Sequence, residues 1–150
     1  MSIQLTSEQA HSEDLIADPA FCQWYVDDIL SLQFPHFLDL GARQCIDQTR
    51  NALLFARHFG IHRRDLQGQF LSLMWGLGPN FHEHPAFNRI LSSDLGEADK
   101  IDRLFEVSDR EGGEAALAAD DRYWYPWLVE GNRLGLTENP LYADWDDDDG

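Results

Sequence analysis

The sequence contains few cysteines and few basic residues, and both scarcities exclude common classes of protein. Two cysteines occur in 150 residues, with no C-x-x-C pair and no histidine at the spacing of a zinc ligand. Cys22 and Cys45 fall in apolar helical patterns, which predicts buried free thiols. Lysine and arginine number 11 against 27 acidic residues, giving a net charge of −16. Because such a surface repels nucleic acids and anionic membranes, neither is expected as a partner.

The chain also lacks long apolar runs and the motifs of familiar enzyme classes. No run of about 18 apolar residues is present, so no segment is expected to span a membrane. The N-terminal sequence MSIQLTSEQAHSEDL has no apolar core of a signal peptide. These two features predict a cytoplasmic protein. There is no G-x-S-x-G, no H-E-x-x-H and no glycine-rich phosphate loop, so we expect a non-enzymatic protein without a cofactor.

Apolar residues recur at helical spacing along most of the chain, and no strand-like alternation stands out. After the capping pair Asp18–Pro19, the predicted apolar stripe comprises Phe21, Tyr25, Ile29 and Leu32. The clearest helical stripe comprises Ile46, Thr49, Leu53 and Ala56. Gly60 is a natural C-terminal cap for this second helix. The pattern predicts an all-α fold, a compact bundle of about five to seven helices.

Glycines carry two further predictions about the helices. Gly68 and Gly76 lie inside a predicted helix that contains DLQGQFLSLMWGL, which suggests close packing against a neighbour at both positions. A later helix is predicted over GEADKIDRLFEVSDREGG, with Phe105 on its apolar face and with Gly112–Gly113 ending it.

Length and charge predict the domain organisation. A chain of 150 residues fits a single domain. We assign residues 1–142 to one helical domain, including an irregular aromatic segment around Pro126. Residues 143–150 contain four consecutive aspartates. Because like charges repel, this acidic C-terminal tail is predicted to be disordered.

The segment GLGPNFHEHPAF, residues 76–87, concentrates histidines between two prolines. One interpretation is a zinc site formed by His58, His62, His82 and His84, although no specific metal motif supports it. The other interpretation is a hinge between two helices, in which Phe81 and Phe87 insert into the core. We favour the hinge and assign no metal ligand.

Two sets of residues are candidates for binding a protein partner. The first is the aromatic segment with Trp124, Tyr125 and Trp127, because tyrosine and tryptophan are frequent at interface hot spots. The alternative is that these side chains cap the core, and the exposure of the two tryptophans distinguishes the alternatives. The second set is a stripe of arginines at seven-residue spacing, formed by Arg43, Arg50 and Arg57. This stripe is either a docking edge for an acidic element or a row of side chains that pair with nearby carboxylates.

The linear order of short motifs resembles a known group of proteins. LTSEQ near the start is followed by an aromatic helix that ends at Phe34–Pro35, by a helix that closes in ARHFGI, and by DLQGQFLSLMWGLGPNF, HPAFNRIL and KIDRLFEV. This order, over roughly residues 3–107, resembles small helical accessory proteins encoded with the spike, adaptor and effector genes of bacterial type VI secretion systems. The chain departs from that group at His82 and His84, where acidic residues are usual.

The resemblance implies a co-chaperone-like protein that binds an effector, its adaptor or a spike component. The resemblance implies no catalytic residues for this chain. Two alternatives stay open from the residues: an immunity protein whose acidic surface neutralises a toxin with a basic cleft, and a small metalloenzyme that uses the histidines. The sequence specifies neither the partner nor the oligomeric state.

Overall fold

A computed structural model of the chain describes residues 18–139, and every regular element in that range is helical. The seven α-helices of the described range are α1 (Asp18–Tyr25), α2 (Ser31–Gln33), α3 (Ala42–His58), α4 (Arg64–Leu77), α5 (Pro85–Leu91), α6 (Glu97–Phe105) and α7 (Asp109–Leu117). A π-helical turn, Val26–Leu30, joins α1 to α2, and short 3₁₀ turns span Pro35–Leu40, Phe81–Glu83, Asp121–Trp124 and Pro126–Leu128. The all-α prediction is confirmed. No helix of the described part is long and apolar enough to cross a membrane.

Helices α3 and α4 lie at the centre of the fold, and their apolar stripes face a common core. The α3 stripe predicted from spacing is buried at all four positions. Gly60 follows α3 with a φ of 81°, and the N–H of Ile61 donates to the carbonyl of Ala56 at 2.9 Å. This backbone conformation, which glycine adopts without strain, ends the helix and returns the buried Ile61 to the core.

The π-helical turn corrects the predicted stripe of the first helix. Phe21, Tyr25 and Ile29 are buried as expected, but Leu32 is 70% exposed. A π-helical turn contains more residues than an α-helical turn, so it rotates the following residues away from the face that α1 buries. Leu30 becomes the last core residue of this stretch instead.

The helix predicted over GEADKIDRLFEVSDREGG is wrong at its end, because two helices, α6 and α7, occupy this region. The side chain of Ser108 accepts a hydrogen bond from the N–H of Glu111 at 3.2 Å and donates to the Glu111 carboxylate at 2.9 Å. This side-chain cap begins α7 at Asp109. Gly112 and Gly113 therefore lie within α7 and do not terminate a helix. The sequence SDRE contains the S-x-x-E signal for this cap.

The two glycines of α4 have different surroundings. A Cβ placed on Gly76 would lie 3.2 Å from Cζ of Phe34, so the predicted close packing is confirmed there. A Cβ on Gly68 would meet no neighbouring atom within 4 Å, so the prediction is wrong at that position. Gly68 instead faces the open groove described below.

Three predictions about the ends of the chain and its cysteines have different outcomes. Cys22 and Cys45 are free and buried, as predicted, and burial raises the pKa of the Cys22 thiol to about 12. The acidic tail, residues 143–150, lies outside the described residues. The single domain over residues 1–142 stays a prediction.

Candidate functional site

The connection between α4 and α5 places its histidines in different environments. His82 has no exposed surface, and its ring lies 4.5 Å from the ring centroid of Phe55 and 5.6 Å from that of Phe59. His84 is partly exposed, and its Nδ1 accepts the N–H of Ala86 at 3.1 Å, which caps the start of α5. His82 is therefore part of the core, which sequence spacing did not reveal.

Burial keeps the His82 ring neutral. Desolvation, the positive charge of Arg133 and, to a smaller extent, His58 lower the pKa of His82 to about 3, while the backbone of Pro79 acts in the opposite direction. The nearest carboxylate oxygen, on Glu83, lies 3.7 Å from Nδ1, which is too long for a hydrogen bond. Neither ring nitrogen makes a hydrogen bond of normal geometry among the described residues.

The four histidines considered as zinc ligands do not assemble into a metal site. His58 and His62 are exposed, whereas His82 is enclosed by aromatic rings. Within residues 18–139, no group of three or more histidine, cysteine, aspartate or glutamate side chains is placed to hold a metal ion. Phe81 and Phe87 are buried with ring centroids 5.3 Å apart, as the hinge interpretation expected.

The aromatic segment is divided between the core and the surface. Trp124 is 5% exposed and its ring lies 4.4 Å from that of Trp75. Its carbonyl accepts a 2.8 Å hydrogen bond from the side chain of Asn51. These contacts make Trp124 a core residue, which corrects its assignment as a partner-binding residue.

Tyr125 and Trp127 remain partly exposed, with ring centroids 6.0 Å apart. Burial raises the pKa of Tyr125, and the nearby charge of Asp47 adds to this effect. Asp47 in turn pairs with the exposed Arg43 at 3.3 Å. Arg43, Tyr125 and Trp127 are three of the predicted partner-binding residues with exposed surface, and we call them the aromatic surface.

The arginine stripe is not a continuous docking edge. Arg50 is buried at 5% exposure. Arg57 donates to Asp18 at 2.8 Å, and Arg64, which is buried, donates to the same carboxylate at 3.0 Å. Burial alone would raise the pKa of Asp18, but the hydrogen bonds from the two arginines outweigh it and lower that pKa. The pairing interpretation therefore holds for Arg57, while Arg50 offers no surface to a partner.

A groove of about 720 Å³ runs over α4, open on one side to solvent. Its floor is the face of α4 that carries Gly68, Ser72 and Gly76. One wall is formed by residues between Trp24 of α1 and Phe34, which directly follows α2. The rings of Trp24 and Phe34 are partly buried. The opposite wall includes Phe105 at the end of α6, which is 55% exposed.

The groove continues into a shallower depression between α6 and α7. This second hollow, of about 260 Å³, shares Leu73, Leu77 and Phe105 with the first. Gly112 and Gly113 lie on its far side. We call the two hollows together the α4 groove. A sequence signal for it existed in the small residues at positions 68, 72 and 76, whose spacing of four places them on one helix face.

Three polar groups of the α4 groove, on Gln33, Asp65 and Ser72, already have hydrogen-bond or ion-pair partners. Ser72 Oγ donates to Gln33 Oε1 at 2.8 Å and lies 3.0 Å from the hydroxyl of Tyr25. The Asp65 carboxylate pairs with Arg63 at 2.6 Å. The described lining contains no histidine or cysteine. The arrangement is suited to burying apolar groups of a ligand, with hydrogen-bonding groups along one side.

Comparisons with family models, with curated proteins and with solved structures found no match to this chain.

Proposed function

We propose that this chain is a non-enzymatic binding protein that holds a protein partner in the α4 groove. The observation that carries the proposal is the exposed apolar lining of the groove, above all Phe105, which is 55% exposed. Exposing a large aromatic side chain beside an apolar trough costs solvation free energy, and a bound partner recovers it.

The proposed setting is a bacterial type VI secretion effector module, in which the partner is an effector, its adaptor or a spike component. This setting is supported by the order of motifs from LTSEQ to KIDRLFEV. The protein would act as a co-chaperone-like accessory that covers an apolar segment of its partner before loading. A cytoplasmic location belongs to the same proposal.

The experiment adds bulk to the floor of the groove. In Gly68→Leu the new side chain enters open space, and leucine favours a helix over glycine by about 0.8 kcal/mol, so the fold survives. We expect the tagged variant to lose a partner that wild-type protein captures from the source strain, as measured by quantitative mass spectrometry. Ala42→Leu, at an exposed position on α3 outside the groove lining, is the matched control and should retain it.

The aromatic surface provides the competing location for the interface. Trp127→Ala removes a partly exposed ring without opening the core at Trp124. Loss of the partner from Trp127→Ala with full retention by Gly68→Leu would place binding on the aromatic surface and would reject the groove. Equal retention by both variants would reject both locations.

A second candidate function, an immunity protein, is favoured by the net charge of −16. A strongly acidic protein associates rapidly with a basic cleft such as that of a nuclease. The two functions differ in cells. An immunity protein rescues growth when the toxin is expressed alone, whereas an accessory protein changes secretion of the effector without rescue.

A further inference from the structure

We infer that the occupant of the α4 groove is a basic amphipathic α-helix of the partner, seated with an apolar side chain over Gly68. This inference rests on the proposed binding function and specifies the chemistry of the partner segment. It follows from the shape of the groove, from the open position at Gly68 and from the charges around it.

The shape of the groove fits a helix. Its floor from Asp65 to Leu77 is one helix face, which at 1.5 Å per residue is about 18 Å long. The walls are also helical on both sides. Since the described residues contain no strand, they offer no strand edge on which an extended peptide could add. A helix of about 12 residues instead fits its apolar ridge between such walls.

Gly68 marks the place where the approach is closest. At Gly76 the ring of Phe34 already fills the space beside the backbone, 3.2 Å from a Cβ position. Around Gly68 that space is open, although Trp24 and Arg64 line the groove nearby. An apolar side chain of the partner would therefore contact the α4 backbone at Gly68, in the same manner as Phe34 does two turns later.

The charges around the groove favour a basic partner. Arg64 carries the cationic group of the lining, and it is buried and bound to Asp18. At the other end the exposed Asp109 lines the groove. The exposed acids Asp102 and Glu106 lie close to Phe105 in sequence, together with the exposed Arg103, while Arg110 is paired with Glu114. With a net charge of −16 the chain repels a second copy of itself. Lysines and arginines on the polar face of the partner helix would meet these acids.

The test is a selection of peptides on the intact protein. A random 16-residue phage library is selected on wild-type protein, with counter-selection on Gly68→Leu, and the affinity of the most enriched peptide is then measured. We expect apolar residues at i, i+3 or i+4 and i+7 with lysine or arginine between them, and helical circular dichroism on binding. We also expect a Kd raised about tenfold or more by Gly68→Leu and within about twofold of wild type in Ala42→Leu.

The charge component has its own control. Asp109→Asn should weaken the selected peptide about threefold at low ionic strength and less in 0.5 M salt, whereas Asp121→Asn, an exposed acid outside the groove lining, should not. Extended, proline-rich or acidic peptides would overturn the inference. Peptides that resemble the chain's own residues 1–17, or self-association that Gly68→Leu abolishes, would assign the groove to this chain itself and would also overturn it.

Failure of this inference and failure of the proposed function are distinguishable. If selection yields no peptide that depends on Gly68, the helical occupant is rejected. Capture of the cellular partner that still depends on Gly68 would leave the binding function in place with a different occupant. If neither peptide binding nor capture of the cellular partner depends on Gly68, both the helical occupant and the binding of a partner in the groove are rejected.

Discussion

His82 and Asp18 show how the surroundings of a single side chain decide its role. His82 lies beside an exposed glutamate in a proline-flanked connection, yet its ring is enclosed by Phe55, Phe59 and Tyr123. Spacing along a chain identifies helix faces, but the 3₁₀ turn Phe81–Glu83 is too short to show a period. The burial of His82 follows from where α3 and the aromatic segment meet that turn, and this meeting is a tertiary property.

Replacing His82 by leucine tests the neutral buried ring. In the unfolded chain a histidine binds a proton below pH 6.5, whereas folded His82 binds one near pH 3. Between these values the unfolded state holds more protons, so the stability of the wild-type protein falls as the pH falls. The unfolding free energy of His82→Leu minus that of wild type should therefore rise by about 2 to 3 kcal/mol as the pH falls from 7.5 to 4.5. Urea titrations at the two pH values measure this difference.

The control for this prediction is His62→Leu, which removes an exposed histidine. It should follow the pH dependence of the wild-type protein. A His82→Leu variant whose stability changes with pH in parallel with wild type would show that His82 takes up a proton in the folded state as readily as in the unfolded state.

Asp18 forms ion pairs with two arginines from different helices, so its replacement should lower the free energy of unfolding. Asp18→Asn leaves the buried Arg64 without its carboxylate, and we expect a loss of about 2 kcal/mol of unfolding free energy at pH 7. Because the folded pKa of Asp18 is lowered, the contribution is present above pH 3.8 and is lost as the pH falls through the folded pKa. Urea titrations should show that the difference in unfolding free energy between Asp18→Asn and wild type becomes smaller below pH 4.

Asp47→Asn serves as the comparison for Asp18→Asn, because Asp47 pairs with Arg43 on the exposed side of α3. Removing it should cost no more than about 0.5 kcal/mol. Equal costs for the two variants would contradict the structural importance of the Asp18 pair.

At the scale of the elements, the sequence predicts whatever depends on local periodicity and local capping. The α3 stripe and the Gly60 cap follow from spacing and from residue chemistry. The π-helical turn after α1 could not be predicted, because it depends on how Val26 to Leu30 pack against other helices. The capping signal at Ser108 indicates the division between α6 and α7, and it outweighs the helix-ending tendency of Gly112–Gly113.

Replacement by alanine should have opposite effects at Gly68, within α4, and at Gly78, the C-cap of α4. Gly68→Ala should raise the unfolding free energy by about 0.5 to 1 kcal/mol, because alanine favours a helix and its Cβ meets open space. Gly78→Ala should lower it by about 2 kcal/mol or more, because φ is 112° and the Cβ would lie 2.6 Å from that of Ala119. Thermal and urea unfolding measure both, and destabilisation by Gly68→Ala would show that the groove floor is closed.

At the scale of the whole molecule, the fold combines one apolar core with a strongly acidic composition and an apolar groove. The net charge was available from composition, and the core followed from helical periodicity. The groove was not predictable, since it depends on the distance between α1 and α6 across α4. Its lining residues come from separate stretches of the chain, and Phe105 was expected on the buried face of its helix but is 55% exposed.

The most direct measurement of the central claim is site-specific photo-cross-linking in the source strain. Benzoylphenylalanine replaces either Gln69, an exposed residue that lines the α4 groove, or Gln44, an exposed residue of α3 outside that lining. The account predicts one discrete protein adduct from position 69, identified by mass spectrometry, and none from position 44. The same adduct from both positions, or an adduct from position 44 alone, would contradict binding in the groove.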